Sequence, residues 1–203
     1  MSRKVLIVEG YDEEKLIEHL REQLDLDFEI INAKGEDKIH QEIKDALIES
    51  GERKVICLGV FRDSNDSSNA AFNGFQSFII RLKKDYSDLE IPTEISSFSD
   101  GTPRIGIFFS PGDGINGHLE DLLLQTIDKD LLECIESYTE CVESKEKVSN
   151  FKKHKIKMRA YFAVVMHDET KPNINKGLEN QYFNLDAPQL DELKSFLQEF
   201  AKQ

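Results

Sequence analysis

Carboxylates at the ends of apolar runs are the residues of this chain best suited to chemistry. The stretch Arg62–Asn69 (RDSNDSSN) carries Asp63 and Asp66, three apart, among small polar residues that favour turns. It follows the apolar run Val55–Phe61 (VICLGVF). Two other apolar runs end in acids: KVLIV in Glu9, with Glu13 four residues on, and IGIFF in Asp113 and Glu120. Hard divalent cations take oxygen ligands, and Mg²⁺ commonly uses one or two carboxylates plus substrate phosphate. Asp63 is the best direct ligand, with Asn65 or Asp66 supporting it. Taken singly, each cluster also has a plainer reading: Asp12 and Glu13 as helix-capping acids, Glu9 as a strand end, Asp63–Asp66 as a surface turn. Three clusters at three strand ends predict a site, because open α/β sheets bind ligands past the carboxyl ends of their strands.

Two further stretches bear on that site. Pro111–Asp121 (PGDGINGHLED) is rich in glycine, which lets backbone N–H groups approach an anion. It lacks the lysine and spacing of a Walker A loop, which excludes a nucleoside-triphosphatase of that type. Gly10 is expected to serve a tight turn with unusual backbone angles. His118 and Glu120 can share a helix face, one as ligand and the other orienting it, or His118 can be a cap. Lys145–Arg159 (KEKVSNFKKHKIKMR) holds seven Lys or Arg and one acid, directly after the acidic segment Asp128–Glu143. It reads either as a solvated helix face or as the source of a phosphate- or metal-site lysine.

The elements that would position these residues alternate. Lys4–Val8, Asp27–Ala33 and Val55–Phe61 have the apolar content and length of buried strands. Between and after them, Leu16, Ile17 and Leu20, then Ile39, Ile43, Ala46 and Leu47 (closed by Gly51), then Phe72, Phe75, Phe78, Ile79 and Leu82 in a helix from about Asn69 to Asp85, recur at helical spacing. This order argues for a parallel sheet with helical crossovers. Ile95–Phe98 and Ile105–Phe109 flank a turn signal, SDGTP, and are expected to pair as a hairpin. His118–Ile127 reads as helix, and so does Asp128 to about Ala163, interrupted near Ser149-Asn150. His167–Gly177 reads as irregular, and Gln189–Phe200 closes the chain as an amphipathic helix.

The 203 residues, 39% apolar and 32% charged, can fill one substantial domain. We expect a single domain, with a core over about 1–127 and a helical elaboration over about 128–203. No apolar run is long enough to span a bilayer, and Val5–Val8 is too short for a signal peptide, so no membrane partner is expected. Cys57, Cys134 and Cys141 are odd in number and lack a C-x-x-C spacing. They are expected to be buried, reduced thiols, in keeping with a cytoplasmic location. A net charge of −13 disfavours non-specific contact with nucleic acid, leaving the local basic segment as the place where it could bind.

A strand ending in Glu-Gly, a βα unit, and a strand ending in an Asp-x-Asp-like pair resemble the TOPRIM domain of topoisomerases, primases, recombination proteins and OLD-family nucleases. The P-G-D-G…G-H-L-E-D and F-N-L-D-A-P-Q-L stretches resemble a branch near the OLD-type nucleases. The resemblance implies a TOPRIM/Rossmann-like, mainly parallel α/β sheet flanked by helices, with a helical C-terminal extension. It places the TOPRIM glutamate on Glu9, an additional acid on Glu13, and the paired aspartates on Asp63 and Asn65. Because the second of the pair is an amide here, it brings an oxygen without charge, and Asp66 is the neighbour able to compensate. Glu120 takes the acid of a second metal site, and a lysine falls on Lys153, Lys155 or Lys157, with Lys155 preferred. The implied activity is Mg²⁺- or Mn²⁺-dependent phosphoryl transfer, as in a nuclease acting on phosphodiesters, with Glu9, Asp63 and Lys155 catalytic. The alternatives are a non-catalytic metal- or phosphate-binding module acting through a protein partner, or a response-regulator-like phosphoacceptor domain.

Overall fold

The computed structural model describes residues 2–48, 54–145 and 150–202. Four strands form one all-parallel sheet: β1 (Arg3–Val8), β2 (Glu29–Asn32), β3 (Val55–Asp63) and β4 (Arg104–Ser110), in the order β2-β1-β3-β4. The chain is therefore an α/β fold. Parallel strands are buried on both faces, which is why their sequences read as unbroken apolar runs. Side chains alternate across the sheet, so each strand feeds two cores. Val5, Ile7, Leu58, Val60, Ile105 and Ile107 face α2 (Ile39–Ile48) and α3 (Ser68–Leu82). Leu6, Val8, Cys57, Phe61 and Phe108 face α1 (Tyr11–Gln23), α4 (Leu119–Leu124), and the later helices α6 (Asn150–Val165), α7 (Ile174–Glu179) and α8 (Asp191–Ala201).

The C-terminal part is helical and is packed onto the sheet through α8. Phe200 lies edge-on to Phe28, and Phe196 stacks on Phe98, with ring centroids 5.1 and 4.8 Å apart. Gly59 of β3 leaves room for this contact, since a Cβ there would come within 2.7 Å of Leu6 and 3.4 Å of the Phe200 ring. Helix α5 (Lys129–Lys145) runs against α6. Lys153 pairs with Glu143 and Lys157 with Glu136, a descending register that makes the two helices antiparallel.

Several expectations need correction. Ile95–Phe98 and β4 do not form a hairpin: β4 pairs in parallel with β3, and the earlier run touches it through a single antiparallel bridge, Phe98–Gly106. Ser96, at φ 60°, breaks the extended conformation that a strand would need. The stretch His167–Gly177 is not wholly irregular, because Asn173 caps the start of α7 by accepting from the Lys176 N–H, and Ile174 and Leu178 are buried. Of the cysteines only Cys57 is buried; Cys134 and Cys141, a heptad apart, share an outward stripe of α5 and are exposed. Gly51 and Ser149, expected to end and begin helices, lie outside the described residues.

Candidate functional site

The strand order reverses beside β1: β2 lies on one side of it, β3 and β4 on the other. Such a switch point leaves a crevice at the carboxyl ends of the central strands, since the following segments diverge to opposite faces. Glu9 follows β1 and Asp63 ends β3, so both stand at that crevice. A cavity of about 210 Å³ opens there, lined by Glu9, Asp12, Glu13, Asp63, Asn65, His118, Glu120, His154 and Lys155. Of the anticipated residues it gathers Glu9, Glu13, Asp63, Asn65, Glu120 and Lys155. The remaining anticipated ligand, Asp66, does not join them. It is exposed and lines a separate cavity of about 570 Å³ with Arg62, His40 and Arg81. Asp113 is also exposed and lies outside the crevice; its backbone N–H donates to the Glu192 carboxylate at 3.0 Å.

Local backbone explains the convergence. Gly10 has φ −148°, ordinary extended geometry, so no unusual angle is needed. What it provides is space: a Cβ at Gly10 would come within 2.9 Å of Glu13 Oε2, so the absent side chain lets the Glu13 carboxylate fold back over the turn. At the end of β3, Ser64 is buried and its hydroxyl donates to the Ile115 carbonyl and accepts from the Gly117 N–H, 3.0 and 2.9 Å. The Asn65 N–H donates to the Gly117 carbonyl at 3.0 Å. The glycine-rich loop is thus bound to the acidic turn, with its Asp113 and Gly117 amides already engaged, and does not present the anion cradle its composition suggested. Its role is to deliver His118 and α4 to Asp63. Asp63 accepts from the Leu119 N–H at 2.8 Å and from His118 Nδ1 at 3.1 Å.

The electrostatics are those of acids crowded together away from water. Burial, then the charge of Asp63, raises the Glu9 carboxyl above its usual range. Burial pushes Glu13 up to about 8, helped by Asp63. Glu120 and Asp12 are raised chiefly by burial, with Lys155 pulling both back. His118 is raised by its hydrogen bond to Asp63. His154, packed against it with ring centroids 3.7 Å apart, is pushed down to about 4 by burial and the neighbouring imidazole, and is neutral near pH 7. Basic Lys153 and Lys157 face acids of α5 while Lys155 lines the crevice, so the basic run divides between a salt-bridged face and the site.

The donor set fits a hard divalent cation in kind: carboxylate and amide oxygens, one of which, Glu9 Oε2, is buried without a hydrogen-bond partner. Arg62 Nε stands 3.9 Å away. The set is not drawn together, however. Among the described residues no three His, Cys, Asp or Glu side chains are gathered tightly enough to grip one ion.

A family model described as "Protein of unknown function (DUF3226)" matches residues 3–202. The chain belongs to that family. Neither a curated protein nor a solved structure matches it. Within this member, sequence reasoning overlooked His154, Ile174 and the site role of Asp12. His154 stood in a run that read as basic surface, and one signal could have found it: it lies four, seven and eight residues before Met158, Tyr161 and Phe162, on the buried face of α6. Ile174 lies in the segment that looked irregular, where the Asn173 cap was the available clue.

Proposed function

We propose that this protein is a divalent-metal-dependent phosphoryl-transfer enzyme, acting as a nuclease on nucleic-acid phosphodiesters. The observation that carries the reading is the convergence of Glu9, Glu13, Asp63 and Glu120 with Lys155 in one crevice at the switch point of a parallel sheet. Burial raises these acids, and Arg62 beside Glu9 and Lys155 beside Glu120 offset that only in part. The resemblance to TOPRIM domains, which rests on Glu9-Gly10 and the Asp63/Asn65 pair, supports the same chemistry. Glu9, Glu13, Asp63 and Glu120, with Asn65 as a neutral oxygen donor, would hold Mg²⁺ or Mn²⁺. A cation there would polarise the phosphoryl group and acidify a bound water.

The chain's own residues supply the rest. Hydrolysis forms a bond from water oxygen to phosphorus, breaks the ester P–O bond, and moves a proton from the water to the leaving oxygen. Glu9, whose Oε2 no donor engages among the described residues, is either a ligand of the ion or, instead, the acid–base group at that step. Lys155 offsets charge gathering on the phosphoryl oxygens. His118 holds Asp63 in a fixed rotamer.

Cleavage of single- and double-stranded DNA and RNA in Mg²⁺ or Mn²⁺ tests this, with Glu9→Gln and Asp63→Asn as controls. Metal-dependent activity lost in both variants is expected; equal activity in wild type and variants would remove the proposal. One observation favours a second reading, a non-catalytic metal- or phosphate-binding module. Both oxygens of Asp63 are already engaged by Leu119 and His118. Calorimetry that detects Mn²⁺ binding without cleavage would select it.

A further inference from the structure

The hairpin of α5 and α6 presents an apolar groove that no other described residue covers. From α5 come Leu131, Cys134, Ile135 and Tyr138, at i, i+3, i+4 and i+7; from α6 come Ile156, Ala160, Ala163 and Val164, at i, i+4, i+7 and i+8. Matching stripes on two antiparallel helices enclose about 530 Å³. Tyr138 and Val164 are 55% and 56% exposed, among the most exposed large apolar residues of the described chain. Scattered exposed apolar residues are normal, but a continuous apolar patch that includes an aromatic marks a contact surface.

We infer that this groove is the contact between two copies of the chain, which close it as a four-helix bundle. The charges of the two helices select this occupant. Helix α5 is acidic and α6 has five Lys or Arg and no acid; with Glu136–Lys157 and Glu143–Lys153 closed within one copy and Lys155 in the crevice, Asp130 and Glu140 of α5 and Arg159 of α6 remain to face a second copy. A twofold axis parallel to the helices sets the acidic α5 of each copy over the basic α6 of the other, and makes every neighbouring pair antiparallel. The alternative axis stacks like charge on like and is disfavoured. Arg159, in the groove beside Ala160, meets the acidic helix in the favoured arrangement. Helix α6 also carries His154 and Lys155 into the crevice, so the second copy would brace the helix that positions them.

Sedimentation velocity on the full chain from 1 to 100 µM tests this directly and requires no activity. The expected result is a reversible dimer of the 23.3 kDa chain that weakens at least tenfold in Tyr138→Glu and in Ala163→Glu. Both positions are exposed, so far-UV circular dichroism should match wild type. Alkylation gives a second readout: Cys134 lines the groove and Cys141 does not, so only Cys134 should label more slowly as concentration rises. A monomer at 100 µM, as a different protein partner would leave it, overturns the proposal. So does a dimer that both variants leave intact, or equal protection of the two thiols.

Discussion

At Glu13 a single side chain carries a measurable electrostatic strain. Its carboxyl is held near 8 in the folded chain, against 4.5 when free, because burial and Asp63 disfavour its charge. Between those values the folded chain keeps a proton that the unfolded chain has lost, so Glu13's contribution to stability is full below about pH 4.5 and is lost as pH rises toward 8. His154 runs the other way, since its folded value near 4 makes stability rise from pH 4 to 6.5. In EDTA, calorimetry of Glu13→Gln should therefore match wild type near pH 5 and exceed it at pH 8, by about 2–4 °C in Tm for each kcal/mol recovered. Asp63 calls for a different comparison. Asp63→Ala leaves the Leu119 N–H and the His118 imidazole without their acceptor, a loss of about 1–3 kcal/mol in urea denaturation. Asp63→Asn retains an acceptor oxygen and should lose less, yet it removes the charge that raises His118. NMR titration should show the His118 midpoint fall in both variants.

Among the connecting elements, the seam between the acidic turn and the glycine-rich loop decides whether a site exists at all. Ser64 is its pin, buried and bonded on both sides. Ser64→Ala should cost about 1–3 kcal/mol in urea denaturation, because the Gly117 N–H and Ile115 carbonyl lose a buried partner. The same change should raise hydrogen exchange at Leu119, whose amide depends on Asp63 staying in register. This seam also shows what a sequence can reveal. The strands were legible because burial on both faces leaves a continuous apolar signature, Glu9 and Asp63 because each stands at the end of one, and Glu120 because it opens the helix after the loop that leaves β4. Glu9, Asp63 and Glu120 could thus be brought together in advance. The direction of the loop amides could not, because it is set by tertiary bonds from Ser64 and Glu192. Nor could the divergence of Asp63 and Asp66: a strand that continues through Asp63 and a left-handed Asn65 (φ 54°) turn the two acids to different cavities. The outward stripe of α5 was likewise hidden, since helical spacing gives a face and not what covers it.

For the molecule as a whole, cation binding and folding stability must be linked if the crevice is a metal site. The folded chain brings together carboxylates that the unfolded chain holds far apart, so an ion bound only by the former stabilises it by mass action. At one hundred times the dissociation constant the gain is about 2.7 kcal/mol, or about 5–10 °C in Tm for a chain of this size. Millimolar Mn²⁺ should therefore raise the wild-type Tm at pH 7.5, and the rise should grow with pH as Glu13 loses its proton to solvent and its carboxylate becomes free to bind the ion. Glu9→Gln and Asp63→Asn should abolish the rise, whereas Asp66→Asn should leave it unchanged, since Asp66 lines the other cavity. Potassium at matched ionic strength separates a specific site from screening of the −13 net charge, because screening stabilises wild type and variants alike. A Tm that responds to Mn²⁺ equally in wild type and Glu9→Gln would show that the acids are repelled by one another in the folded chain without ever sharing an ion.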